Sequence, residues 1–233
     1  MIDIKKYIRG TLPHKLYWKF KKYRYDCKQK VKIKKFQKDG MELLTLFANT
    51  LNTAEIDYWL DFGTLLGYYR EHGFIKHDND LDFGAYLEDA EKIRKALISV
   101  GFELVRNYWV VGEDGKEDCF RFNDSTVDVF YYKKCGNKLI GNSFQPLEGV
   151  KLNCIIPFKV MQFIQPYSGL KSDLFLGVEV KVPKNADEYL RANYGDDYMI
   201  PNPKFNWMTD SPNLTTYSYN EKKGEGIIKM KYQ

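Results

Sequence analysis

Apolar side chains at Phe36, Leu43, Leu44, Phe47 and Leu51 recur at helical spacing and predict a helix over 28–53 with one buried stripe. Gly40 weakens that helix without breaking it. The block IDYWLDFG (56–63) reads as a short buried strand. GTLLGYYREHG follows as a helix that begins at Gly63 and Thr64 and stops at Gly73. Apolar and polar positions then alternate over 79–86, as in a strand. LEDAEKIRKALISVG (87–101) returns to helical spacing, with acidic residues in its first turn and Gly101 at its end. FELVRNYWVV, DCFRFN, STVDVFYY, KLIGNSF and LGVEVKVP (176–183) read as strands separated by Gly-containing turns. NADEYLRANYG (185–195) reads as a helix between Asn185 and Gly195, and from Pro201 the pattern is irregular. Alternating strands and helices followed by hairpins predict an α+β fold, a mixed sheet with helices on one face. Three parts are expected: a basic helical arm and packing helix (1–53), a main body (54–200) and an irregular tail (201–233).

With 233 residues and 44% apolar content, one sizeable core is expected. No apolar run reaches the ~18 residues of a membrane-spanning helix, and MIDIKKYIRGTLPHKLYWKFKKYRYDCK has no secretory pattern. Cys27, Cys119, Cys135 and Cys154 lie far apart and read as unpaired thiols of a cytoplasmic protein.

Charge changes the picture more. Residues 1–38 hold fourteen Lys and Arg against Asp3 and Asp26, a net +12; the whole chain is +5, so the rest carries −7. Trp18, Phe20 and Tyr23 are interleaved with those charges. Such an arm suits an anionic membrane surface, suits single-stranded nucleic acid, or packs on its own body.

The stretch GFIKHDNDLDFG puts Asp78, Asp80 and Asp82 on one strand face, while Leu81 and Phe83 point the other way. Carboxylates roughly 7 Å apart repel one another, and burying them unpaired is costly. A hard divalent cation relieves both problems. TVDVF repeats the pattern, with Asp128 between Val127 and Val129, so a neighbouring strand would bring Asp128 to the same centre. An EF-hand reading fails: its sixth and twelfth positions would be Phe83 and Asp89 rather than Gly and Glu.

LDFGTLLGYYR adds a second element. A strand that delivers Gly63 and Thr64 onto a helix start offers backbone N–H groups and a hydroxyl to phosphate, and Arg70 could reach a further phosphate oxygen. Metal-binding carboxylates beside a phosphate-binding turn imply phosphoryl or nucleotidyl transfer.

YWLDFGTLLGYYREHGFIKHDNDLDFG resembles the signature of the LicD/fukutin family, G-T-L-L-G-x-x-R followed by F-I-x-x-D-x-D-x-D. VDVFYY is similar to the family's third acidic strand, and FLGVEVKVPKNADEYLRANYGDDYMIPN to its downstream block. Lys76 and His77 replace the family's usual Pro-Trp, which makes His77 either a pocket residue or an exposed one. The resemblance implies a nucleotidyltransferase-like catalytic domain over 54–200, of the compact bacterial type. It implies transfer of phosphocholine or a polyol phosphate from a CDP-activated alcohol to a glycan or lipid-linked glycan, with CMP released. Asp80, Asp82 and Asp128 would hold Mg2+ or Mn2+, Gly63, Thr64 and Arg70 the phosphates, with Asp78 and His77 beside them. The alternative is transfer of a nucleotide from a triphosphate, with pyrophosphate released. Neither reading needs nucleic acid as a partner. A cytoplasmic enzyme is expected, held at the inner membrane face through residues 1–38.

Overall fold

The first described element is a single helix, α1 (His14–Thr53), forty residues and so about 60 Å long. The computed structural model describes residues 14–147 and 155–228, with side chains from Leu16 onward. Cys154 and the first thirteen residues of the basic arm, among them Lys5, Lys6, Tyr7 and Arg9, lie outside these. The predicted stripe is where α1 meets the body: Phe36, Leu43, Leu44, Phe47 and Leu51 are all buried, and Phe47 stacks on Phe83 at 3.9 Å between ring centroids. Trp18, Phe20, Tyr23 and Tyr25, two turns and more before Phe36, are exposed.

β1 (Tyr58–Leu60) runs antiparallel to β2 (Asp80–Tyr86), and β2 runs parallel to β5 (Ser125–Cys135). Every other pairing among the described strands is antiparallel. β3 (Glu103–Val110), β4 (Lys116–Phe122), β5, β6 (Lys138–Pro146), β7 (Ile156–Pro166) and β11 (Gly224–Ile228) pair in a ring, β11 closing it by bonding both β7 and β3. Tyr108, Phe144 and Phe158, from three of these strands, pack against one another within this barrel. The hairpin of β8 (Leu170–Phe175) and β9 (Val178–Pro183) forms a separate small sheet, and β10 (Leu214–Thr216) adds to β7.

The α+β expectation holds, with two corrections. Helices cover both faces near β2, not one. α1 and α3 (Ala90–Ser99) pack on the face of Phe83, while α2 (Phe62–Leu66) and α4 (Ala186–Tyr194) pack on the face of Asp82. The reason is that both faces of β1 are apolar: Tyr58 meets Phe47 of α1, and Trp59 meets Tyr132 and donates to Tyr189 of α4. The second correction is β11, which lies in the stretch that read as irregular. A side chain at Gly226 would have its Cβ 2.4 Å from the Tyr108 ring, so this strand needs glycine where alternation would show an apolar residue. No described helix is long and apolar enough to cross a membrane.

Candidate active site

The parallel pairing of β2 with β5 sets Asp82 beside Asp128 and Asp80 beside Thr126. Leu81, Phe83, Val127 and Val129 are fully buried on the opposite face, so the acidic side chains are forced to one side, where they are half-buried. Among the described residues no three His, Cys, Asp or Glu side chains stand in a preassembled metal geometry.

Electrostatic stress marks the cluster. Burial, then the Asp80 charge, pushes the Asp78 carboxyl up to about 7, and Arg70 opposes the rise. Burial, then Asp128, pushes Asp80 up to about 7, against Lys32 and Arg106. Asp82 lies well above the ordinary carboxylate range, through burial and then the charges of Asp80, Asp128, Asp78 and Asp61. The cluster thus concentrates negative charge that a cation or a cationic substrate group would relieve.

The turn into α2 holds Asp82. The Gly63 N–H donates to Asp82 Oδ2 at 3.1 Å, and the Asp82 backbone N–H donates to Thr64 Oγ1 at 2.8 Å. Phe62 adopts a left-handed backbone (φ 34°), a conformation costing about 1–3 kcal/mol outside glycine, and its ring is clamped between Phe130 and Phe163. Asp61, fully buried, caps α2 through the Phe62 N–H and accepts from the hydroxyls of Tyr132 and Tyr189. Burial raises its carboxyl to about 7 despite those donors.

Gly63 and Thr64 were expected to face phosphate; the bonds they make here run to Asp82, and Thr64 is buried. Arg70 sits in the π-helical turn that follows α2, donating from Nη1 to the Tyr198 carbonyl and from Nε to Glu71, with its charge felt at Asp78. Asp78 lies beside Gly63: a Cβ there would be 3.3 Å from Asp78 Oδ2. His77 is exposed in the turn before β2. Asp80, Asp82, Asp128, Asp78, Gly63, Thr64 and Arg70 therefore come together, while His77 stands at the rim.

Sequence reading missed Arg106. It lies on β3, two strands from Asp128, and its Nη2 reaches Asp128 Oδ1 at 3.3 Å and Cys119 Sγ at 2.7 Å. No local motif marks it, because its place depends on the β3–β4–β5 register and on an irregularity between Leu104 and Arg106. α1 also reaches the site: Asn79 donates to Gln29 Oε1, and the Lys32 charge acts on Asp80. Tyr108, Tyr131 and Tyr132 are each engaged elsewhere. Tyr131 bonds Asp118 on the α3 side, Tyr132 bonds Asp61, and Tyr108 packs inside the barrel.

The family model described as LicD/FKTN/FKRP, nucleotidyltransferase domain, matches residues 55–185, a span that holds β1 through β9 and all eight expected site residues. The chain belongs to this family. Ribitol-5-phosphate transferase FKTN of Mus musculus is 30% identical over 181 residues, which cover 77% of this chain and 37% of that protein. Ribitol 5-phosphate transferase FKRP of Homo sapiens is 28% identical over 162 residues, 66% of this chain and 30% of that protein. Uncharacterized protein RT0683 of Rickettsia typhi is 32% identical over 143 residues, 58% of this chain and 44% of that protein. The chain thus spans well under half the length of these relatives. The LicD/FKTN/FKRP match begins after α1 and ends before β10 and β11, so these three elements lie outside the matched domain.

Proposed function

We propose that this LicD-family chain transfers a polyol phosphate from a CDP-activated polyol to a hydroxyl of a glycan, releasing CMP. The observation that carries the reading is the parallel register that puts Asp82 beside Asp128 with Asp80 on the same face. The names of its relatives give ribitol 5-phosphate as the group that those proteins transfer, which supports a polyol phosphate here.

Asp80, Asp82 and Asp128 would hold Mg2+ or Mn2+. The fit rests on the chemistry of the donor set, all carboxylate oxygen under mutual repulsion, and not on a preformed cage. When bound, such an ion neutralises charge on the donor diphosphate. Asp82 is oriented for that role by Gly63 and Thr64. Arg70 balances charge near Asp78 and offers a cation to the departing CMP phosphate. Arg106 orients Asp128 through its contact to Oδ1, and Asp128 takes the proton of the acceptor hydroxyl. The acceptor oxygen then forms its bond to the polyol-bearing phosphorus, and the bond to the CMP oxygen breaks. Positioning and charge carry most of such a reaction.

The test is to incubate the full chain with CDP-ribitol, a glycan acceptor and Mg2+, and to follow CMP. CMP release that depends on acceptor supports the reading. Pyrophosphate release from a nucleoside triphosphate, with nucleotide retained on the product, would replace it with nucleotidyl transfer.

A further inference from the structure

We infer that the projecting half of α1 is a docking helix for an anionic lipid bilayer, and that it fixes the carboxylate mouth close to that surface. Leu16, Phe20, Tyr23, Cys27 and Val31 are spaced four, three, four and four residues apart, so they form one stripe along the helix. All five are exposed, Tyr23 at 66% and Val31 at 54%. At about 100° per residue this stripe faces roughly 180° away from the Phe36, Leu43 and Phe47 stripe that binds the body. Among the described residues the body therefore does not cover it.

The charge around the stripe says what can. Residues 14–38 carry eleven Lys and Arg against one acidic residue, Asp26. From Lys19 on, Lys35 pairs with Asp124 and Lys32 lies near Asp80; the other eight Lys and Arg lie beside the stripe or on the far side of the helix. A second copy of the helix laid on this stripe would bring like charges together, and continuing the four-three repeat beyond Cys27 places Lys30 and Lys34 in the seam. A coiled-coil partner of this chain is thereby disfavoured. Nucleic acid would use the charge and the flat rings, but it gains little from aliphatic Leu16 and Val31. A bilayer interface uses all three: apolar stripe, aromatic rings and flanking cations.

The geometry also places the active site. Val31 ends the stripe on the same turn that carries Gln29 and Lys32 against Asn79 and Asp80. A helix is about 10–12 Å across with its side chains, so an arm lying in the interface sets the mouth about one helix diameter from the headgroups. A lipid-linked acceptor would need its reacting hydroxyl only that far from the surface. The docking claim itself does not depend on the reaction.

Co-sedimentation of the full chain with vesicles of phosphatidylcholine, with and without phosphatidylglycerol, tests it. Binding is expected only with phosphatidylglycerol, and it should fall as salt rises. The triple variant Leu16→Gln, Phe20→Gln, Val31→Gln should bind about tenfold more weakly. Its thermal melt should match the wild type, since none of the three touches the core. Equal binding to both vesicle types, unchanged binding by the triple variant, preference for a single-stranded RNA oligonucleotide over the vesicles, or a dimer in solution that the triple variant abolishes would each overturn the inference.

Discussion

The hydroxyl of Thr64 accepts the backbone N–H of Asp82 at 2.8 Å, across eighteen residues of sequence. That bond ties the start of α2 to the strand that carries the acids. Replacing the hydroxyl with a methyl of similar size leaves a buried N–H without a partner, which costs about 1–3 kcal/mol. Thr64→Val should therefore melt lower and transfer more slowly, while Thr64→Ser keeps most of both. Equal behaviour of Val and Ser, measured by thermal melting and CMP release, would show that the hydroxyl does not hold Asp82.

Gly63 gives a sharper separation of activity from stability. An added Cβ would lie 3.2 Å from Asp82 Oδ2 and 3.3 Å from Asp78 Oδ2, close enough to shift both carboxylates by a few tenths of an ångström. Gly63→Ala is expected to lower kcat at least about tenfold, since such chemistry depends on fine positioning, with little change in the melting temperature. Wild-type turnover in this variant would place the reacting groups elsewhere.

How stability depends on pH follows from the crowded acids. Asp61, Asp78 and Asp80 titrate near 7 in the folded chain against an ordinary 3.8, and Asp82 is raised in the same direction. Between those values the folded state holds more protons than the unfolded one, so stability falls as pH rises. The contribution of Asp61, Asp78 and Asp80 is fullest below about 4 and is lost as pH rises through about 7. With divalent cations chelated, the melting temperature should decline across that window, and Asp82→Asn should flatten the decline. A slope that the substitution leaves untouched would mean the cluster is not its source.

Arg106 carries the fourth expectation. Arg106→Met removes the cation that holds Asp128 Oδ1 and should lower kcat more than it raises KM for the donor. Arg106→Lys should rescue part of the loss, because it returns the charge but not the second contact to Cys119. A change in KM alone would make Arg106 a donor-binding residue.

What was legible in the chain was whatever rests on local period. The Asp80–Asp82 strand shows because polar and apolar faces alternate on it, and the same rule finds Asp128 between Val127 and Val129. The helix stripe from Phe36 to Leu51 shows for the corresponding reason. What was illegible depends on contacts distant in sequence. Arg106 meets Asp128 only through two strand pairings and an irregular register. Asp61 becomes a buried cap only because Tyr132 and Tyr189 converge on it from β5 and α4. β11 hides because Gly224 and Gly226 supply backbone and no side-chain pattern.

Asp80, Asp82 and Asp128 are the proposed transfer centre. Its most direct test is single-turnover CMP release from CDP-ribitol by Asp80→Asn, Asp82→Asn and Asp128→Asn, each first shown by thermal melting to be folded. Each substitution should slow release at least about a hundredfold, because each removes a charge that acts at the reacting phosphate. The metal-free variants should melt no lower than the wild type, since repulsion among the carboxylates is relieved. Wild-type release by any one of the three would contradict the account.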